Sequence, residues 1–131
     1  MTTPRQDSAN PGPYRIQMDD KFGHLRAIDV AAEAAAHEPW FNQTLTTVND
    51  SVVRLGILEG DFHWHKHEAE DEFFLVLEGT LAIDVEGRET VTLGPHQGFT
   101  VPRGVRHRPR ALERTAVLMV EPATVLPTGD E

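Results

Sequence analysis

Three histidines fall at every second position in one stretch of this chain, His63, His65 and His67. A β-strand repeats its side chains with a period of two, so this spacing places all three imidazoles on one face. Phe62, Trp64 and Lys66 then take the other face. The acidic loop Glu68–Asp71 follows, and Glu72 opens an apolar run, Phe73–Leu77, that ends at Glu78-Gly79. A hairpin turning at Glu68–Asp71 brings Glu72 back beside His65 and His67. Two or three imidazoles and a carboxylate converging from adjacent strands form a transition-metal donor set.

The rest of the composition narrows what such a site can be. With 131 residues, the chain suffices for one domain with a single core. There is no cysteine, which excludes disulfides, thiolate metal sites and cysteine nucleophiles together. Any metal is therefore left to His, Asp and Glu. A formal charge of −9 argues against sequence-blind binding to nucleic acid, which needs basic surface. The local exception is the arginine cluster Arg103, Arg106, Arg108, Arg110 and Arg114. Pro4, Arg5, Gln6 and Asp7 occupy the place where a secretory leader needs apolar residues. No apolar run approaches the ~20 residues of a spanning helix. A cytoplasmic location without a membrane partner is the expectation.

Residues 1–13, rich in Thr, Ser, Asn, Pro and Gly, read as a disordered tail. Residues 14–44 read as an N-terminal extension carrying a weak strand at Tyr14–Met18 and one short helix over Asp29–His37. Asp29 is its N-cap, alanines follow, and Pro39 stops it. Trp40 and Phe41 are expected to pin that helix to the outside of the sheet. From residue 45 to 121 the chain is a series of short strands separated by turns. Val52–Leu58 is one strand, with Gly56 a bulge or close-packing point. Glu59-Gly60-Asp61 turns into the histidine strand, Thr80–Val85 alternates with Leu81, Ile83 and Val85 inward, and Glu86-Gly87 is a hairpin turn. Phe99–Val101 leads into the tight turn Pro102-Arg103-Gly104, and Thr115–Val120 is the last strand. Residues 122–131 form a C-terminal tail. This pattern predicts an all-β antiparallel sandwich or small barrel.

These residues resemble the cupin superfamily, in particular its small single-domain members of the mannose-6-phosphate-isomerase-like group. The first motif of that family appears as Gly60, His65, His67, Glu72 and Gly79, one residue short after the first glycine. The second appears as Pro102, Gly104 and His107, with His96 where the pattern has a leading glycine and Ala111 where it has an asparagine. The resemblance implies a jelly-roll β-barrel holding one divalent transition metal on His65, His67, Glu72 and His107. Fe, Mn, Ni, Zn and Cu all suit such donors. Four protein ligands on an ion that accepts six leave two positions open, the mark of a reactive rather than a closed site. The resemblance also implies a homodimer, and the doubly apolar Phe73–Leu77 strand calls for a cover by the helix or by a second subunit.

The remaining polar residues have two readings each. His63 shares the ligand face, as a supporting donor or cavity-mouth residue, or is a half-exposed histidine at a strand end. His24 and His96 read as surface histidines, and Glu59, Glu70, Asp71 and Glu78 as solvated turn charges. Arg106 and Arg108 point away from the metal by alternation. Arg103 and Arg110 sit near the rim, where they attract an anionic substrate or pair with the Glu68–Glu72 loop. Three functions fit: a metal-dependent enzyme of isomerase, cyclase or dioxygenase type acting on a small organic substrate, a non-catalytic ligand-binding or sensing module, and a purely structural metal site.

Overall fold

The computed structural model describes residues 13–130. Apart from Pro13, the disordered tail expected over residues 1–13 lies outside them. Eight strands and one short helix follow in order: β1 (Arg15–Gln17), α1 (Val30–Ala35), β2 (Phe41–Val48), β3 (Ser51–Asp61), β4 (Glu72–Glu78), β5 (Leu81–Val85), β6 (Val91–Leu93), β7 (Gly98–Val101) and β8 (His107–Pro122). No helix among the described residues is long and apolar enough to cross a membrane.

The long strand β8 is the spine. One of its edges pairs with β3, from Asp61↔Arg110 to Ser51↔Pro122. Its other edge is shared between two strands: β5 pairs with His107–Ala111 and β4 with Ala116–Val120. The handover falls at Thr115, whose hydroxyl donates to the Thr80 carbonyl at 3.1 Å and accepts from the Thr80 N–H at 3.0 Å. The main path runs β1-β2-β3-β8-β4-β7, with β5 and β6 branching from β8, and the ladder is not closed. This is the all-β jelly-roll arrangement expected.

Two apolar clusters lie on opposite sides of the sheet. The inner one gathers Trp40, Leu58, Phe62, Phe74, Val76 and Met119 with residues of β5. The outer one joins Ala34 of α1 to Phe41, Leu45, Leu55, Ile57 and Ala116. Full burial of a side chain of this kind contributes about 1.5–3 kcal/mol. The helix holds to the sheet because Asp29 caps it, its Oδ1 accepting from the Ala32 N–H at 3.1 Å. From its far side, Arg114 donates to the carbonyls of Ala34 (2.7 Å) and His37 (2.9 Å).

Several expectations need correction. Helix α1 ends at Ala35 rather than His37. Trp40 does not pin it: consecutive strand residues face opposite ways, so Phe41 packs under the helix while Trp40 enters the inner cluster. Gly56 is a close-packing point, since a Cβ there would meet Met119 Cε at 3.0 Å, and the bulge lies further on, between Leu58 and Gly60. Strand β3 therefore runs through Gly60 instead of turning there. Val125, expected in a tail, is fully buried. All of β5 is buried, Asp84 included, because arginines from β8 cover its outer side.

Candidate metal centre

After the bulge at Gly60 the chain does not form the regular histidine strand that its spacing predicts. It runs extended beside β8: the Phe62 N–H donates to the Pro109 carbonyl at 3.0 Å. His65 and His107 exchange both backbone hydrogen bonds, at 2.9 and 2.8 Å. That isolated bridge joins the two histidine-bearing segments directly. Glu72 arrives by another route than a hairpin. It begins β4, which pairs with β7 and β8, so its carboxylate reaches the histidines from across the sheet. Phe62 lies on the same side as the histidines and meets the His65 ring edge-on, with centroids 5.3 Å apart. It follows the end of β3, where the period of two no longer holds.

The three imidazoles and the carboxylate close on one point. One donor atom from each of His65, His67, Glu72 and His107 lies within 4.8 Å of the others, and all four residues are buried. Glu72 Oε1 stands 3.3 Å from His67 Nε2 and 3.4 Å from His107 Nε2. Two ligands at right angles on a cation, with bonds of about 2.1 Å, stand about 3 Å apart. His65 Nδ1 lies 3.0 Å from the His63 carbonyl, and His107 Nδ1 lies 3.0 Å from the Val105 carbonyl. Each Nδ1 must carry the proton to make that bond, so each Nε2 offers a lone pair. His67 Nε2, His107 Nε2 and Glu72 Oε1 are buried and lack a hydrogen-bond partner among the described residues. Such groups rarely stay unsatisfied, and a cation between them satisfies all three at once. The donor set fits a divalent transition metal.

The electrostatics agree with that protonation state at His65. Burial, aided by the neighbouring His107, pushes His65 down to about 3, so its ring is neutral. Burial opposes a charge on Glu72, but the close approach of the His107, His67 and Glu121 side chains outweighs it and holds the carboxyl well below its ordinary range. Burial likewise opposes a charge on His67. The 3.3 Å contact with Glu72 and the negative charges of Glu72, Asp130 and Glu70 raise it nonetheless. Behind Glu72 lies Glu121, which burial and the repulsion of Glu72 push up to about 9. Its Oε2 accepts from Arg54 Nη1 at 2.6 Å, and both side chains are almost wholly enclosed.

Beside this cluster is a cavity lined by Tyr14, Trp40, Asn42, Leu58, Phe62 and Phe74 together with His65, Glu72 and Pro127. The C-terminal segment covers the site. His63 Nε2 lies 2.8 Å from the Thr128 carbonyl, and the Glu68 N–H donates to Asp130 Oδ2 at 2.7 Å. Gly129, at φ +94°, lies so close to His65 that a Cβ would stand 2.6 Å from the histidine's own Cβ. His63 thus supports His65 through its backbone, while its ring faces the C-terminal segment.

The other polar residues sort differently from expectation. Arg110 pairs with Asp84 at 2.7 Å and not with the acidic loop, while Arg103 reaches Asp71 only through its backbone N–H, at 2.9 Å. Arg106 and Arg108 do point outward, both lying against the Trp64 ring. His24 and His96 are exposed. His96 has φ +70°, the left-handed conformation that glycine adopts freely, at the position where the family pattern has its glycine. Glu121, Arg54, Tyr14 and Asn42 escaped the sequence reading as site residues. The only hint was Arg54 amid the apolar residues of β3, where a buried charge requires a buried partner.

The comparisons with known proteins agree with this geometry. Residues 51–121 match the cupin domain, and the chain belongs to the cupin family. The Bacillus subtilis (strain 168) protein YdbB is 42% identical over 80 residues, covering 61% of this chain and 71% of its own. Among solved structures, a cupin-2 domain protein from Shewanella frigidimarina superposes with a TM-score of 0.70 at 32% identity, over 73% of this chain and 94% of that one. A Ralstonia eutropha protein provisionally described as a mannose-6-phosphate isomerase shares the fold, with a TM-score of 0.58 and 24% identity over 66% of this chain and 92% of its own.

Proposed function

We propose that this chain is a metal-dependent cupin enzyme, of isomerase, cyclase or dioxygenase type, acting on a small organic substrate beside His65, His67, Glu72 and His107. The observation that carries the reading is the convergence of buried, unpartnered donor atoms beside a largely apolar cavity. A divalent metal bound there supplies Lewis acidity or redox chemistry. The carbonyls of His63 and Val105 hold two imidazoles in the tautomer that presents Nε2 inward. Trp40, Phe62 and Phe74 exclude water from the cavity side. Glu121, whose Oε2 accepts from Arg54, lies behind Glu72, where burial and the repulsion of Glu72 favour its protonated form.

The test is chelation followed by reloading with Fe, Mn, Ni, Zn or Cu, with elemental analysis of the washed protein. One equivalent per chain is expected, and Glu72→Ala and His107→Ala should each lower metal affinity at least about 100-fold. Oxygen uptake and spectral change with small enols and catechols then assay turnover. A chain that retains none of these metals refutes the reading, and metal uptake with ligand binding but no turnover would reassign it as a binding module.

A further inference from the structure

Three residues of the cavity lining shared with His65 and Glu72 come from the N-terminal extension, before the family-matched segment begins at residue 51. Tyr14 adjoins β1, Trp40 immediately precedes β2, and Asn42 lies on β2. Asn42 is 1% exposed and Trp40 is 4% exposed. The Asn42 amide nitrogen donates to the Tyr14 hydroxyl at 3.1 Å, which fixes the amide plane. Its Oδ1 is buried without a partner among the described residues, and so is the indole Nε1 of Trp40. A buried indole N–H and a buried amide oxygen without partners each cost stability, and side chains that only packed the core would not need them. Stacking of Trp40 on Phe62, with centroids 5.6 Å apart, and edge contacts of Tyr14 with both rings hold the three groups in place.

We infer that Trp40 and Asn42, with Tyr14 behind them, form a subsite that reads a hydroxyl group on a compact, uncharged, largely apolar substrate. A hydroxyl both accepts and donates: it takes the Trp40 N–H and gives its own proton to Asn42 Oδ1. A ketone or ether satisfies only the first partner and a hydrocarbon neither. The walls of Leu58, Phe62, Phe74 and Met119 select an apolar body. Arg54, the buried cation nearby, is already engaged by Glu121, so in the metal-free protein a carboxylate meets no unengaged arginine there. Burial pushes the Tyr14 phenol above its ordinary range, so it remains a neutral hydrogen-bonding group.

The cavity leaves about 20 Å³ for the centres of water-sized molecules, room for about one or two waters. A substrate of several heavy atoms therefore displaces Pro127, the lining residue contributed by the C-terminal segment. Beyond Pro127 that segment is tied down by His63 with Thr128, Asp130 with Glu68, and the Asp130 N–H with the Lys66 carbonyl.

This inference deepens the reading above and rests on it only for what the other end of the substrate meets. Phenol, toluene and benzoate are the probes: one ring with a neutral hydroxyl, with neither, or with a charge. Calorimetric titration of the full chain, once chelated and once zinc-loaded, gives the affinities. Phenol is expected to bind at least about tenfold tighter than toluene or benzoate, the effect of one net hydrogen bond. Trp40→Phe and Asn42→Leu should each reduce the phenol-over-toluene ratio to near unity while leaving toluene affinity within about twofold. The ratio is internal to each protein, and the wild-type comparison stands even if a variant fails to fold. In the chelated protein, equal binding of phenol and toluene, tighter binding of benzoate, a ratio unmoved by both substitutions, or no binding of any probe at millimolar concentration overturns the subsite. Phenol preference in a chain that takes up no metal overturns the metal reading alone, and metal uptake without phenol preference overturns the subsite alone.

Discussion

Replacing Arg54 and Glu121 separately distinguishes two accounts of the buried charges behind Glu72. Arg54 Nη1 donates to Glu121 Oε2 at 2.6 Å, with side chains 2% and 1% exposed. Its other bonds go to Thr44 Oγ1 at 3.0 Å, the Val125 carbonyl at 2.9 Å and the Ala123 carbonyl at 3.5 Å. In a simple buried ion pair, deleting either partner strands the other, and each deletion costs about 3–5 kcal/mol. Glu72 changes that symmetry. Burial and its repulsion push Glu121 up to about 9, so at neutral pH two carboxyl groups hold one proton and Arg54 balances the remaining charge. Glu121→Gln then exchanges one neutral hydrogen-bonding group for another and costs about 1 kcal/mol. Arg54→Met removes the balancing cation and strips the donor from the buried Val125 carbonyl and from that of Ala123, a loss of about 3–5 kcal/mol. In melting temperature this is a fall of roughly 10–20 °C against roughly 3–5 °C. Urea unfolding of the chelated protein at neutral pH, extrapolated linearly, measures both. Equal losses in the two variants would refute the shared proton.

Three other outcomes follow from the same coordinates. His65 is held down to about 3 from an ordinary 6.5, so the unfolded chain takes up a proton that the native one refuses. Stability of the metal-free protein therefore falls as pH drops from about 6.5 towards 3, by up to about 1.4 kcal/mol per pH unit. His65→Gln should flatten that slope in a denaturation series, and an unchanged slope would show that His65 is not its source. Asp84 is held below its ordinary range by hydrogen bonds from Arg110, Thr90 and Arg108. Because both arginines are about a third exposed, Asp84→Asn is expected to cost only about 1–2 kcal/mol. It should also remove stability that the wild type loses only at acid pH; calorimetric melts at neutral and acid pH check both. Gly129→Val places a β-branched residue at φ +94° against His65, a strain of about 1–2 kcal/mol. The C-terminal segment should lift, with faster amide exchange at Asp130 and Glu68 by roughly tenfold, and unaltered protection there would contradict the tight approach.

The donor residues were legible because their signal is local. His65 and His67 are separated by one residue, Glu72 follows within the same turn-bounded stretch, and Pro102-Arg-Gly104 positions His107. The route that unites them was not legible. A hairpin at Glu68–Asp71 is the shortest connection and therefore the natural expectation. The structure instead pairs the histidine segment with β8 and brings Glu72 in on β4. Register between segments some forty residues apart depends on long-range packing that alternation cannot specify. The same limit hid Glu121: as the penultimate residue of β8 it looks like the start of a polar tail, and only the burial of Val125 beyond it places it inside.

Trp40 shows why the flanking segments were harder to read than the centre. Adjacent aromatics on a strand must part to opposite faces, but the sequence does not say which face is interior when both are covered. Here one face meets α1 and the other the cavity, so Phe41 and Trp40 are buried for different reasons. The consequence reaches function. All four donor residues lie within residues 51–121, the stretch shared with the family. Tyr14, Trp40 and Asn42 before it, and Pro127 and Gly129 after it, form the walls and the cover. A match confined to the central stretch therefore covers the donor positions but not the residues that shape the space beside them. On the proposed reading metal chemistry falls to the common segment and substrate choice to the ends of the chain, so exchanging residues 14–44 with those of another cupin should alter which molecule binds before it alters which metal does.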